Sequence, residues 1–86
     1  MKLIVFTRHA RQQMQMRSVA EAEVTDTLRI PDSTHNAKRG AMKAFRTFPF
    51  HALHRGMFYQ YKKVEVRYLD RPADFLVLTV ISRFFN

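Results

Sequence analysis

Between Ser33 and Val64 the chain has no acidic side chain. That stretch holds Lys38, Arg39, Lys43, Arg46, Arg55, Lys62 and Lys63, together with His35, His51 and His54. Phe45, Phe48, Phe50, Phe58, Tyr59 and Tyr61 interleave with them. Cations hold phosphates and flat rings stack on bases, so the pattern is that of a single-stranded nucleic-acid site. A solvated basic surface above buried aromatics is the plainer alternative. Near the start, His9 stands beside Arg8 and Arg11. An imidazole there can serve as a general base or acid, or be an ordinary surface group. Late in the chain, Thr79 and Arg83 share one face of an alternating apolar run, where an arginine can grip a phosphate. Tyr61 and Tyr68 are candidates for a second proton carrier.

These groups match metal-free RNA cleavage. A base removes the ribose 2′-OH proton, cations stabilise the crowded phosphorane, and an acid protonates the leaving oxygen. Other chemistries lack their residues. The acids do not cluster as paired carboxylates for a metal-dependent nuclease. There is no Gly-rich phosphate loop and no Gly-x-Ser-x-Gly elbow. His51-x-x-His54 is a weak metal signal, and with no cysteine there is neither a thiolate site nor a disulfide framework. Hence no metal and no cofactor is expected.

Fifteen Lys and Arg against seven Asp and Glu leave a formal charge of +8 among 86 residues. Such an excess opposes compaction and points to a polyanionic partner: nucleic acid, an acidic protein or an anionic membrane face. No apolar run reaches the ~18–20 residues of a membrane span. Met1–Phe6 is too short for a signal h-region. The chain therefore reads as a single cytoplasmic domain over residues 1–86.

Positioning those groups requires an α+β fold. Leu3–Phe6 predicts an interior strand. Thr7 caps a helix whose stripe is Ala10, Met14 and Arg17. Arg17 then snorkels from the core or pairs with an acid such as Glu21. Ser18 and Glu21 form a capping box for a second helix with stripe Ala20, Val24 and Leu28, ended by Ile30-Pro31. Glu21, Glu23, Asp26 and Asp32 give that helix an acidic back. Residues 31–41 read as a loop. Strands follow at Met42–Phe50 and Phe58–Leu69, with a further strand around 51–60, turns at Arg55-Gly56 and at 70–74, and Pro49 marking an edge or an end. Phe75–Phe85 reads as the central strand. Its Phe75, Val77, Thr79, Ile81 and Arg83 point one way, and Leu76, Leu78, Val80, Ser82 and Phe84 point toward the helices. The order is β-α-α-β-β-β, with both helices on one face of the sheet and the other face open.

The segment Phe6-Thr7-Arg8-His9-Ala10-Arg11-Gln12-Gln13-Met14, then Arg17-Ser18-Val19 and the run to Leu28-Arg29-Ile30-Pro31, resembles a bacterial and phage family known only as a domain of unknown function. That family carries a His-Ala…Arg-Met…Arg-Gly-Ile start, with Gly where this chain has Ser18. Its late Val-Thr-Val strand corresponds to Leu78-Thr79-Val80. The family is regarded as a distant relative of the RelE, ParE and BrnT toxins. The resemblance implies a RelE-like fold, two helices on a twisted, mainly antiparallel sheet, with the active side on the concave face. It implies an RNA-cleaving toxin, acting on RNA such as ribosome-bound mRNA, and an acidic antitoxin as partner. It maps the family's signature His, Arg and Thr onto His9, Arg17 and Thr79. With Tyr68 and Arg83 added from the reading of the residues themselves, the expected catalytic set is His9, Arg17, Tyr68, Thr79 and Arg83. The expected nucleic-acid contacts are Arg8, Arg11, Lys38, Arg39, Lys43, Arg46, Arg55, Lys62 and Tyr61. A non-catalytic RNA- or DNA-binding module, or a basic protein docking an acidic partner, are the alternative readings.

Overall fold

The computed structural model describes residues 2–86. Leu3–Phe6 forms strand β1, which ends where Thr7 turns the chain. The Thr7 hydroxyl accepts the Ala10 amide at 3.0 Å and so caps helix α1, Arg8–Met16. Ala10 and Met14 are the buried side of α1. The helix closes at Arg17, and Ser18 takes a left-handed φ of 55° that reverses the chain. Ser18 is therefore inside the turn and cannot cap helix α2, Glu21–Arg29. The cap lies two residues later than the sequence indicated: the Glu23 carboxylate accepts the Ala20 amide at 3.0 Å. The buried stripe is rotated to match. Val24 and Thr27 are fully buried, Leu28 is half-buried and Ala20 is exposed. Thr27 tolerates burial because its hydroxyl donates to the Glu23 carbonyl at 2.7 Å.

Ser33–Asn36, expected as loop, is strand β2, paired antiparallel with strand β3, Met42–His54. All four β2 residues are exposed, so no buried alternation marks them. A short 3₁₀ turn, Lys38–Gly40, joins the two strands. β3 runs on through the segment expected to hold a separate strand. Its register with strand β4, Met57–Asp70, shifts between Pro49 and Ala52, and His51 sits there at a left-handed φ of 47°. β2 pairs only as far as Phe45, so Pro49 lies where β3 is an edge and needs no amide proton. Arg55 and Gly56, at φ 51° and 83°, make the two-residue turn of the β3–β4 hairpin. Strand β5 is Asp74–Phe85.

The sheet order is β1-β5-β4-β3-β2, with β1 parallel to β5 and every other pair antiparallel. β4 is thus the central strand, not β5. β1 is an edge strand rather than an interior one, with Leu3 70 % exposed. Both helices lie on the same face, α1 against β5 and α2 against β4 and β3. The core between the layers is Ala10, Met14, Val19, Val24, Ala44, Val64, Val66, Tyr68, Val77 and Val80. No helix among the described residues is long and apolar enough to cross a membrane.

One irregularity sets which side chains reach the open face. Arg67 pairs with Thr79, but Tyr68 pairs with Val77, so Leu78 is an extra residue in β5. Strict alternation would put Val77 and Thr79 on one face. The bulge instead sends both Val77 and Val80 into the core and leaves Thr79 on the open side.

Lys62 is in phase with Val64 and Val66 and is only 3 % exposed. Its ammonium donates to the Ser18 carbonyl and, at 2.8 Å, to the Glu23 carboxylate, beside the Phe50 and Phe84 rings. One side chain thus ties the interhelical turn, the start of α2 and the central strand together. Lys62→Met leaves the Ser18 carbonyl without its donor and the Glu23 carboxylate without its cation. It should lower unfolding stability by about 2–4 kcal/mol, read as a reduced denaturant midpoint at unchanged slope.

Candidate functional site

β1 stops at Phe6, opposite Val77, so beyond that point the outer edge of β5 needs other partners. α1 supplies them. The Thr7 amide donates to the Val77 carbonyl at 3.1 Å and the Thr7 hydroxyl to the Leu78 carbonyl at 3.2 Å. At the other end of the helix, the Arg17 guanidinium donates to the Val80 carbonyl at 3.0 Å, and the Ser82 hydroxyl donates to the Arg17 carbonyl at 2.9 Å. The helix is thereby clamped along β5, and its first turn brings His9 Nε2 to 3.3 Å from the Thr79 hydroxyl.

From that contact a single row of polar side chains crosses the open face. Thr79 is opposite Arg67, Arg67 opposite Lys43, and Lys43 opposite His35. Three strand spacings, about 14 Å, separate the ends of the strand part of the row. The next row holds Ile81, Glu65, Phe45 and Ser33. After it comes Arg83 opposite Lys63, itself opposite Thr47, and then Phe85 opposite Tyr61. Lys63 lies over the Phe45 ring at 5.0 Å. Tyr61 and Phe85 stack with centroids 5.4 Å apart, both about two-fifths exposed. One carboxylate stands among these cations. Glu65 is 8 % exposed and holds Arg67 Nε at 2.9 Å. Among the described residues Lys38, Lys43, Lys63 and Arg83 have no acidic partner. Phe45, Lys63, Glu65, Ile81 and Arg83 surround a shallow hollow of about 350 Å³.

The residues singled out from sequence are thus distributed over both faces. His9, Thr79, Lys43, Tyr61 and Arg83 belong to the open face or its rim. Arg83 stands four residues from Thr79, about 13 Å along β5, so the cation opposite Thr79 is Arg67. Arg17 is engaged with the β5 edge. Arg46 faces the helices and donates to the Ile30 carbonyl at 3.0 Å, with the Asp26 carbonyl at 3.5 Å, closing the end of α2. Lys62 and Tyr68 are buried on the helix side. Arg11 lies over Phe6 and pairs with Glu21, while Arg8 is exposed on α1. Arg55 is at the hairpin tip, and Lys38 and Arg39 are in the 3₁₀ turn. Glu65 and Arg67 were not among the residues singled out, and Lys63, named in the acid-free run, was not among the expected contacts. Period-two alternation carried the signal for all three, since they fall out of phase with the buried Val64 and Val66. His51 and His54 make separate ring contacts, with Phe58 and Phe84.

No family model matches the chain, and no curated protein or solved structure matches it.

Thr7→Val keeps the shape but removes the hydroxyl that caps α1 and binds Leu78. We expect a loss of about 1–2 kcal/mol, together with a change in the His9 imidazole NMR signals as its contact with Thr79 loosens. Burial, with a smaller contribution from the Asp70 carboxylate, holds the Tyr68 phenol above its ordinary value of 10.0. The folded state therefore keeps that proton more tightly than the unfolded chain. Its contribution is complete below pH 10.0 and is lost as pH rises through the elevated value. Thermal melting followed upward from pH 9 should show Tyr68→Phe losing less stability than the parent; equal losses would contradict the assignment.

Proposed function

We propose that this chain is a metal-independent endoribonuclease of the toxin kind, working on the open face of its sheet. The carrying observation is the continuous row His9–Thr79–Arg67–Lys43. It sets an imidazole at the rim of a surface on which Lys43, Arg67, Lys63 and Arg83 could bind phosphates. Glu65 lies diagonally from Thr79, one row on, and such neighbours are about 7–8 Å apart. A phosphodiester laid over Thr79 then has an imidazole on one side and a carboxylate on the other. One takes the proton from the ribose 2′-OH, the 2′-oxygen bonds to phosphorus, and the other supplies the proton with which the 5′-oxygen departs. Arg67, held in plane by Glu65, faces the charge that builds on the phosphorane. Arg83 and Lys63 bind the strand further along, and the Tyr61–Phe85 stack accepts a base. Two helices on one face of a twisted sheet, with the reacting groups opposite, is the arrangement a RelE-like toxin requires. An acidic antitoxin covering the open face belongs to the same proposal.

A non-catalytic RNA- or DNA-binding module is the second reading. It is favoured by the exposed Tyr61–Phe85 stack beside Lys63 and Arg83, a binding surface complete without His9.

The test is incubation of the purified protein with RNA in EDTA, with and without ribosomes, against His9→Ala, Glu65→Gln and Arg67→Ala. Cleavage should persist in EDTA and fall about 10²–10⁴-fold in His9→Ala. Arg83→Ala should weaken binding more than turnover. RNA left intact under both conditions, with binding that falls steeply as salt rises, would replace the enzyme by the binding module.

A further inference from the structure

At the far end of the His9–Thr79 row lies a second hollow of about 400 Å³, lined by Asn36, Ala37, Lys38, Lys43 and Arg67. Three of its five lining residues are cations and none is a carboxylate. The elements that present them are well constrained. Lys38 enters from the 3₁₀ turn, whose path is set by Arg39 and Gly40 at φ 59° and 75°. That turn is closed by the Ala37 amide donating to the Ala41 carbonyl at 2.8 Å and the Ala41 amide donating to the Lys38 carbonyl at 3.2 Å. Lys43 and Arg67 are direct cross-strand partners. Glu65 takes Arg67 through Nε alone, which orients the guanidinium and leaves both terminal nitrogens without a partner among the described residues.

We infer that this hollow binds a phosphomonoester: the terminal phosphate of a nucleotide or of an RNA end. Charge decides between this and an internal phosphodiester. With Glu65 offsetting one of the three cations, about two positive charges remain. That matches the roughly −1.5 to −2 of a terminal phosphate at neutral pH, whereas a diester carries a single negative charge. The donors agree with the charge. Two terminal guanidinium nitrogens and two ammonium groups can serve three oxygens at once, and the Asn36 side chain adds an amide. Only the source of the phosphate rests on the nucleic-acid reading; affinity for the phosphate group does not.

Calorimetry tests this with inorganic phosphate, uridine 5′-monophosphate, a phosphoserine peptide, and one short oligoribonucleotide carrying either a terminal phosphate or a hydroxyl, at the 5′ end in one series and the 3′ end in another. The protein is used as His9→Ala, so that cleavage does not consume the probe. A terminal phosphate should tighten binding about tenfold or more over the hydroxyl form. The preference should grow as pH rises through the phosphate's second ionisation near 6. Lys38→Ala with Lys43→Ala should abolish it while the thermal melt stays cooperative, and single Lys→Gln changes should each reduce it. Arg29→Gln, which removes a charge from α2, should leave it intact. Preference at one end only identifies that end as the ligand. Equal tightening by the free mononucleotide identifies the nucleotide. The inference is overturned if phosphorylated and hydroxyl forms bind equally, if Arg29→Gln costs as much as the lysine changes, or if a phosphoserine peptide binds better than every nucleotide probe. Absence of ribonuclease activity in the parent protein would overturn the preceding proposal and leave this one standing.

Discussion

Thr7 is the joint on which the site depends. Its amide donates to Val77, its hydroxyl donates to Leu78 and accepts from Ala10, and its carbonyl accepts the Arg11 amide. One residue therefore ends the edge strand, starts the helix and fixes the helix to the neighbouring strand. His9, two residues on, has no freedom to choose another edge. Each of these bonds is worth only about 1 kcal/mol net, but together they convert a flexible strand-to-helix connection into a fixed angle. The bulge at Leu78 is the complementary device on β5. It frees a carbonyl for Thr7 and switches Thr79 to the open face, so the two halves of the His9–Thr79 contact are arranged by the same few atoms.

The positive charge divides into two populations with different work. On the helix side, Arg17, Arg46 and Lys62 each satisfy backbone carbonyls that the fold leaves over: the β5 edge, the end of α2 and the turn at Ser18. Lys2 does the same at the Arg71 carbonyl. These side chains are partly or wholly withdrawn from solvent, and their stems pack against apolar neighbours. On the open side, Lys43, Lys63 and Arg83 have no such engagement. A net charge of +8 thus overstates what is offered to a ligand, since part of it replaces caps and edge partners that a less basic chain would build from Ser, Asn or Gly. Salt acts on the two populations unequally. Exposed cations are screened, whereas a nearly buried ammonium such as Lys62 is screened much less.

What could be read from the sequence follows the same physical lines. Thr7 as a cap, the helix break at Arg17–Ser18, the Arg55-Gly56 turn, and one covered and one open face of the sheet all rest on local rules, and those rules hold here. Period two along Val64, Val66 and Tyr68 was equally legible, and it placed Lys62 and Tyr68 inward and Lys63 outward; treating the acid-free run as one undivided patch concealed that. Other features depend on groups distant in the chain. Ser18 lost its capping role because Val19 is drawn into the core and the turn must go left-handed. β2 has no buried residue to announce it and exists because β3 offers an edge. Arg46 turns toward α2 because Ile30 has a free carbonyl there, which no spacing within Met42–Phe50 discloses. The Leu78 bulge leaves no mark in an uninterrupted apolar run.

Glu65 is one carboxylate within a cluster of cations, and its position explains how that cluster is tolerated in the folded chain. Lys43 is directly opposite Arg67 and Lys63 directly opposite Arg83, in the rows on either side of Glu65, and like charges directly opposite each other are destabilising. A carboxylate among them offsets that repulsion, and its hydrogen bond to Arg67 fixes the guanidinium that would otherwise swing toward solvent. The cost is a local attraction for anions weaker than four free cations would give. The gain is order, since a side chain already oriented loses less entropy on contact with a phosphate. Because Glu65 holds Arg67 by Nε alone, the two remaining nitrogens are presented together rather than consumed. The carboxylate therefore orders the cations of this face without neutralising them all.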